Sequence, residues 1–362
     1  MSQPAQQIRF CTSRDGTRIA YATGGAGPPL IWAASWFHHL ELDWGSPVWR
    51  PWISLLTRRH TLVRYDWRGC GLSDREQVEF SFEKFVEDLE AVIAAAGLEQ
   101  FVLFGIAAGA AIGMTYAVRH SDRVSQLVLY ASYARNRLAG NPTPQEVEEA
   151  QARLKVIELG WPNDTPAYGQ FFAALHMPDA SAEQTQSFQD LVRETTSLAN
   201  NDAMRRTFSR IDVQEIVPKV RCPVLVLHSR GNSVIPFEQG RSVAGLIPGA
   251  RFVPLDSRNH VLLETEPAWQ QFVEALEDFL PAAAKPAVAG DSLLDDLTVR
   301  EHQVLELVAQ GFDNNTIGER LHISERTARN HVSAILAKLG INTRAQAIVR
   351  ARKAGFGGEN VR

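Results

Sequence analysis

Residues Phe101–Gly109 read FVLFGIAAG and run without a break into a helical pattern that continues to His120. An apolar β-branched and aromatic strand, a Gly-x-x-x-Gly turn and a helix together form the setting of a nucleophile elbow. The turn is sharp and its flanks pack closely, which is why glycine is required on both sides. The residue after the elbow begins a helix, so its N–H is free to join an oxyanion hole. The centre of such a turn should be Ser, Cys or Asp. Here it is Ala107, and a methyl group can neither attack a carbonyl nor be activated by a base.

Around this stretch, short apolar runs alternate with helical patterns. Strands are expected at Ile8–Ser13, Arg18–Thr23, Pro29–Ala33, Thr61–Tyr65, Phe101–Gly105, Ser125–Tyr130, Val224–Ser229 and Ala250–Leu255. The first two, joined at Asp15-Gly16, read as a hairpin. The later ones are continuous apolar runs, as strands covered on both faces should be. Phe82–Ala96 and Ala107–His120 read as helices between them. This is the alternation of an α/β doubly wound sheet. The stretch from about Pro144 to Arg210 is helical, polar and loop-interrupted, and reads as a cap inserted over the sheet with outer limits near 134–215.

Tyr65–Asp74 (YDWRGCGLSD) and Pro223–Pro236 (PVLVLHSRGNSVIP) extend the pattern, and Arg258-Asn259-His260 follows the last strand. With the elbow, these stretches resemble the α/β-hydrolase superfamily over about residues 8–280. The first matches that family's D-x-R-G-x-G-x-S stretch. The second matches the late strand and turn that normally end in G-D-x-x-x-P and supply the triad acid. The resemblance implies triad positions 107, 232 and 260 in the family order. They hold Ala107, Asn232 and His260, so only the histidine survives. Asn232 can hydrogen-bond an imidazole, but as a neutral amide it cannot stabilise an imidazolium and favours the wrong tautomer. The His-Gly turn that often supplies the second oxyanion donor is replaced by Ile31–Trp36 (IWAASW), leaving the backbone near Ser35 as the candidate donor. A pocket lined by Ser35, Trp36, Ala107, Ala108 and His260 would therefore hold an apolar or aromatic carbonyl or carboxylate compound without turnover.

Other residues in this region have structural readings. Asp66 and Arg68 belong to a strand-end turn whose polar groups need partners. Cys70 has no base placed for it. His38 and His39 with Glu41 lack metal-ligand spacing, so no metal and no cofactor is expected. The cluster Trp32, Trp36, Trp44, Trp49, Trp52 and Trp67 suits either a core or a ligand wall.

The last 82 residues of the chain have a different grammar. Pro281–Asp291 (PAAAKPAVAGD) reads as a linker, placed at 281–292. Thr298-Val299-Arg300-Glu301 is a capping box opening a helix with Val304, Leu305 and Val308 on one face, and Gly311 ends it. Thr316–Leu321 is a short second helix. Ser324 caps a third with Ala328, Val332, Ile335, Leu336 and Leu339 inward, Gly340 stops it, and Thr343-x-x-Gln346 caps a fourth. This is a helix-turn-helix plan. From 324 to 353 the bases are Arg326, Arg329, Lys338, Arg344, Arg350, Arg352 and Lys353 against Glu325 alone, a local charge of +6. The segment resembles the LuxR/GerE family through L297-T298-x-R300-E301, V304-L305, G311, N315-x-I317, L321, S324-x-x-T327-x-R329-N330-H331, I335-L336-x-K338-L339 and R344-x-x-A347. The resemblance implies that Arg329, Asn330 and Ser333 face base edges and that Thr327 and Lys338 contact phosphates. Arg326 joins them on the outward face.

The expectation is an α/β-hydrolase fold with a helical cap over residues 1–280, plus a small all-α helix-turn-helix domain of LuxR type over 293–362. Together they would make a ligand-responsive regulator. Its partners would be double-stranded DNA, a small-molecule ligand and a second copy of the chain, since two half-sites add avidity, with RNA polymerase a further candidate. An active esterase or lactonase whose serine was replaced at position 107 is the alternative, and Asn232 weighs against it. A hydrolase-like domain that serves only to dimerise is a third reading.

Composition agrees with this division. The chain has 362 residues and 45 % hydrophobic content, enough for two domains and for a sizeable core. Its net charge of −4 hides an acidic body, with 27 basic against 32 acidic side chains over residues 1–290, and a tail at +1. Three scattered cysteines argue against a disulfide framework. Neither a secretory leader nor an apolar run of about 20 residues is visible, so a cytoplasmic protein off the membrane is expected.

Overall fold

The computed structural model describes residues 6–34, 36–76, 78–160, 166–280, 297–321, 323–341, 343–353 and 356. The chain divides into two compact units, Met1–Ala283 and Ala284–Arg362. The linker expected at 281–292 lies outside the described residues.

The first unit is built on β1 (Gln7–Thr12), β2 (Arg18–Gly24), β3 (Pro29–Ala33), β4 (Thr61–Tyr65), β5 (Phe101–Ile106), β6 (Val124–Tyr130), β7 (Val224–Ser229) and β8 (Arg251–Leu255). They form one sheet in the order β1-β2-β4-β3-β5-β6-β7-β8. β1 pairs antiparallel with β2 and β2 with β4, and every later pairing is parallel. Alternation along the strands divides their side chains between two cores. Ile31, Val63, Leu103, Leu127 and Val226 pack with residues of α2 (Phe82–Ala95), α3 (Ala108–Arg119) and α8 (Phe237–Leu246). Trp32, Leu62, Phe104, Val128 and Leu227 pack with α1 (Arg50–Thr57) and α9 (Pro267–Phe279). The unit is therefore a helix–sheet–helix sandwich, as expected for strands apolar on both faces.

The expected cap is present as α4 (Pro144–Gly160), α5 (Pro166–His176), α6 (Ala182–Thr195) and α7 (Leu198–Phe208). Ser181 caps α6 with a full capping box, and Ser197 caps α7 by accepting from the Asn200 N–H. Phe172 and Phe188 carry the cap into the core on the α1 side of the sheet.

The Asp66–Asp74 turn is a structural knot. Asp66 is fully buried and accepts from the Leu40 and Leu72 N–H groups at 3.0 and 2.8 Å. Arg68, also fully buried, donates to Asp88 at 2.7 Å, to Asp15 at 2.7 Å and to the Glu79 carbonyl at 3.0 Å, tying the turn to the first hairpin and to α2. Burial works against the Arg68 charge, and its bonds to Asp88 and Asp15 more than offset it. Cys70 is buried, its thiol pushed up to about 12 by burial, with Met204 Sδ at 3.7 Å.

The second unit holds α10 (Val299–Ala309), α11 (Asn314–Leu321), α12 (Glu325–Lys338) and α13 (Arg344–Lys353). The Thr298/Glu301 capping box and the Ser324 cap form as expected. Val304, Leu305, Val308, Ile317, Ala328, Val332, Ile335, Leu339, Ala347 and Ala351 make a separate core, and Leu336 packs at its edge.

Candidate functional site

The elbow keeps its geometry without a nucleophile. Ala107 sits between β5 and α3 at φ 51°, ψ −116°, a conformation that costs a non-glycine residue of order 1–3 kcal/mol. A Cβ on Gly105 would lie 2.7 Å from the Gly109 carbonyl oxygen, and one on Gly109 would lie 2.4 Å from that of Ala34. Both glycines are therefore dictated by close backbone approach. Ala108 opens α3, so its N–H is one of the groups a helix leaves without an internal partner.

A chamber of about 150 Å³ lies over this turn. Trp36, Ala107, Ala108 and His260 all line it, so four of the five residues expected at a ligand site come together. The fifth, Ser35, lies outside the described residues. The remaining walls include Trp49, Trp67, Phe188 and Phe208. The tryptophan cluster thus divides. Trp36, Trp49 and Trp67 face the chamber, while Trp32 and Trp52 pack with Phe104, Tyr130 and Phe272 in the core. The cap contributes His176 and Phe188, which no motif marked in advance. His176 lies one turn after Phe172 on α5, the two rings tilted against each other at 4.4 Å.

The decisive geometry is at Asn232. Its Oδ1 accepts from the Val234 and Ile235 N–H groups, both at 3.0 Å. The amide nitrogen must then face His260 Nδ1, which lies 3.0 Å away. An amide nitrogen only donates, so Nδ1 is the acceptor and the imidazole carries its proton on Nε2. A hydrolase needs the opposite tautomer, with Nδ1–H held by a carboxylate and Nε2 open to take a proton. Burial, and then the neighbouring His176 and His228, hold the His260 imidazole well below its usual range, so it is neutral. The chamber therefore offers hydrogen-bond donors, His260 Nε2–H and the Ala108 N–H, and His260 itself presents no base; His176 in the wall gives its Nδ1–H to the Phe172 carbonyl at 2.9 Å and keeps its Nε2 unprotonated.

His38 Nδ1 pairs with buried Asp43 at 2.9 Å, and Asp43 accepts from Arg64 at 2.7 Å. Among the described residues no group of His, Cys, Asp and Glu could hold a metal ion, and no helix is long and apolar enough to cross a membrane.

In the second unit, Arg326, Arg329, Asn330 and Ser333 are exposed on α12 and Thr327 is half-buried. Arg329 pairs along the helix with Glu325, an exposed contact of small energetic weight. Lys338, expected at a phosphate, also has a partner within the unit. Its Nζ donates to Glu301 at 2.7 Å, joining α12 to the capping box of α10, and it holds the Glu301 carboxyl down at about 2. Other bases of the +6 stretch also act internally. Arg344 donates to Asn314 at 2.9 Å, Arg352 to the Ala309 carbonyl at 2.9 Å, and Arg350 to the Leu339 carbonyl. Arg352 and Arg350 complement the C-termini of α10 and α12, and Arg344 ties α13 to the start of α11, so part of the basic concentration is structural. Arg329→Ala is expected to weaken specific DNA binding by about 1–3 kcal/mol in a salt-controlled mobility-shift titration. Unchanged operator affinity would remove Arg329 as a reader.

Comparison with known proteins follows the same division. Residues 24–267 match the alpha/beta hydrolase fold family, and residues 295–351 match the luxR family of bacterial regulatory proteins. A RutD protein of Azorhizobium caulinodans, named for carbamate hydrolysis, is 26 % identical over 263 residues, covering 69 % of this chain and 90 % of that protein. The transcriptional regulatory protein DegU of Brevibacillus brevis is 52 % identical over 60 residues, 17 % of this chain and 25 % of DegU. Among solved structures, an esterase of Exiguobacterium antarcticum superposes with a TM-score of 0.63 at 21 % identity, over 75 % of this chain and 99 % of the esterase.

Proposed function

Because the chain belongs to the alpha/beta hydrolase fold family and carries a LuxR-type DNA-binding domain, we propose that it is a transcriptional regulator whose hydrolase-like domain binds a small molecule without hydrolysing it. The ligand is apolar or aromatic with a carbonyl or carboxylate acceptor. The observation that carries this reading is the Asn232–His260 contact, which sets the imidazole as a donor. Ala107 removes the nucleophile, and the inverted tautomer removes the base. What stays is an aromatic chamber with donors aimed at an acceptor, the composition of a binding site. An engineered replacement at position 107 alone would have left an acid at 232. DNA is engaged as a homodimer, since a module of this size gains avidity from two half-sites.

The test is an activated ester. The full-length protein should turn over p-nitrophenyl acetate no faster than a His260→Ala variant or buffer. Turnover that His260→Ala abolishes would overturn the reading. In parallel, ligand should change tryptophan emission and DNA alone should not, because all 8 tryptophans precede residue 270.

A further inference from the structure

The chamber over Ala107 adjoins a second cavity of about 210 Å³, and the two share Trp36, Tyr133, Asn136, Phe208, Val234 and Ile235 as walls. The two differ in chemistry. The inner one is walled by aromatic rings and neutral imidazoles. The outer one is lined by Arg135 and Arg137 of the segment after β6, Arg153 of α4 and Arg205 of α7. Glu146 is the one acid among its described lining residues, and its carboxylate already accepts from the Thr143 N–H at 2.8 Å and hydroxyl at 2.9 Å. Glu149 stands 3.9 Å from Arg137, a loose pair.

We infer that the ligand is an organic anion, with its ring and carbonyl in the inner chamber and its anionic group among Arg135, Arg137 and Arg153. This rests on the reading of the inner chamber as a ligand site. Three observations converge. First, an inner volume of about 150 Å³ is the size of cavity that takes a single benzene ring, so a larger ligand must extend outward. Second, the inner donors are dipoles without charge. They suit a carbonyl, whereas a carboxylate there would be desolvated with no cation to offset the cost. Third, arginines gathered on one concave wall with little acid raise the local anion concentration and present planar forks that match carboxylate or phosphate. Arg153 lines the outer cavity alone, and its charge is felt in the inner one. The buried His176 imidazole of the inner wall is held down at about 4, by burial first, with the Arg153 charge pushing in the same direction.

The experiment titrates the full-length protein by tryptophan emission with four probes: 3-benzoylpropionate, the phosphonate that replaces its carboxylate, its primary amide, and acetophenone. Both anions should bind about tenfold more tightly than the amide, with a preference that shrinks as salt rises. The order of carboxylate and phosphonate identifies which anion the arginines favour. In the Arg135→Gln/Arg153→Gln variant, which keeps only Arg137 of the three, the preference should fall severalfold while amide affinity and the thermal midpoint stay unchanged. Equal affinity of anion and amide for the wild type overturns the inference and leaves the inner chamber intact as a site. So does a preference undiminished in the double variant. Failure of acetophenone and amide as well as the anions overturns the chamber reading itself, and this inference with it.

Discussion

Ala107→Ser alone is expected to leave the hydrolase-like domain inert, and Ala107→Ser combined with Asn232→Asp is expected to hydrolyse activated esters. The elbow backbone and the start of α3 are already in place, so a serine at 107 would be presented on a strained turn beside a helix N-terminus. It would still meet an imidazole whose Nε2 carries the proton, because Asn232 donates to Nδ1. Converting that imidazole to an imidazolium would set Nδ1–H against the amide N–H groups. An aspartate at 232 could keep one oxygen on the Val234 and Ile235 N–H groups and turn the other to Nδ1, reversing the tautomer. In a serine protease the corresponding acid-to-amide change costs about 10⁴ in kcat, so the double variant should exceed the serine variant by about 10³–10⁴, or about 4–5.5 kcal/mol of barrier. Its rate should rise with pH as His260 loses its proton. Initial rates with p-nitrophenyl acetate decide the matter. A serine variant as active as the double variant would mean that Asn232 does not control the tautomer.

The same site shows what sequence reading can reach. The elbow, the positions of Asn232 and His260, and their chain order are local or nearly local patterns, so they are legible. Strands β3, β4 and β7 begin and end where their apolar runs do, because β-branched runs bounded by turns leave little freedom. The walls supplied by the cap are another matter. His176 and Phe188 reach the site through packing between segments with no motif, their rings 5.6 Å apart. The arginine-lined cavity is likewise assembled from the segment after β6, from α4 and from α7, stretches whose charges are unremarkable one at a time. Counting charge in the tail finds the basic excess but cannot divide it. Lys338 and Arg352 serve Glu301 and the end of α10, while Arg326 and Arg329 stand outward. That division depends on which carbonyls and carboxylates tertiary packing brings near, and charge spacing does not encode it.

Arg68→Met is expected to destabilise the first unit by about 3–5 kcal/mol, the cost of removing one partner from a buried ion pair. Both Arg68 and Asp88 are fully buried, at 2.6 and 2.7 Å from each other. Without the guanidinium, the Asp88 carboxylate would be left in the interior with no cation. Burial already holds the Asp88 carboxyl above its usual range against the pull of Arg68, and losing that cation would raise it further, so the variant holds this proton over a wider pH window. A raised folded pKa means the folded state holds more protons, so the variant should lose stability as pH rises from the unfolded pKa through the folded one. The deficit should therefore be larger at pH 8 than at pH 5, and Asp88→Asn in the same background should recover part of it at pH 8. Urea unfolding followed by tryptophan emission reads the first unit alone, since every tryptophan lies in it. A deficit below about 1 kcal/mol would place the pair among surface-like contacts of little weight. The functional consequence follows from Trp67, which precedes Arg68, lines the chamber and packs against Phe85 and Phe208, both at 5.0 Å. The knot, a structural turn in the sequence as well, holds one wall of the chamber in place.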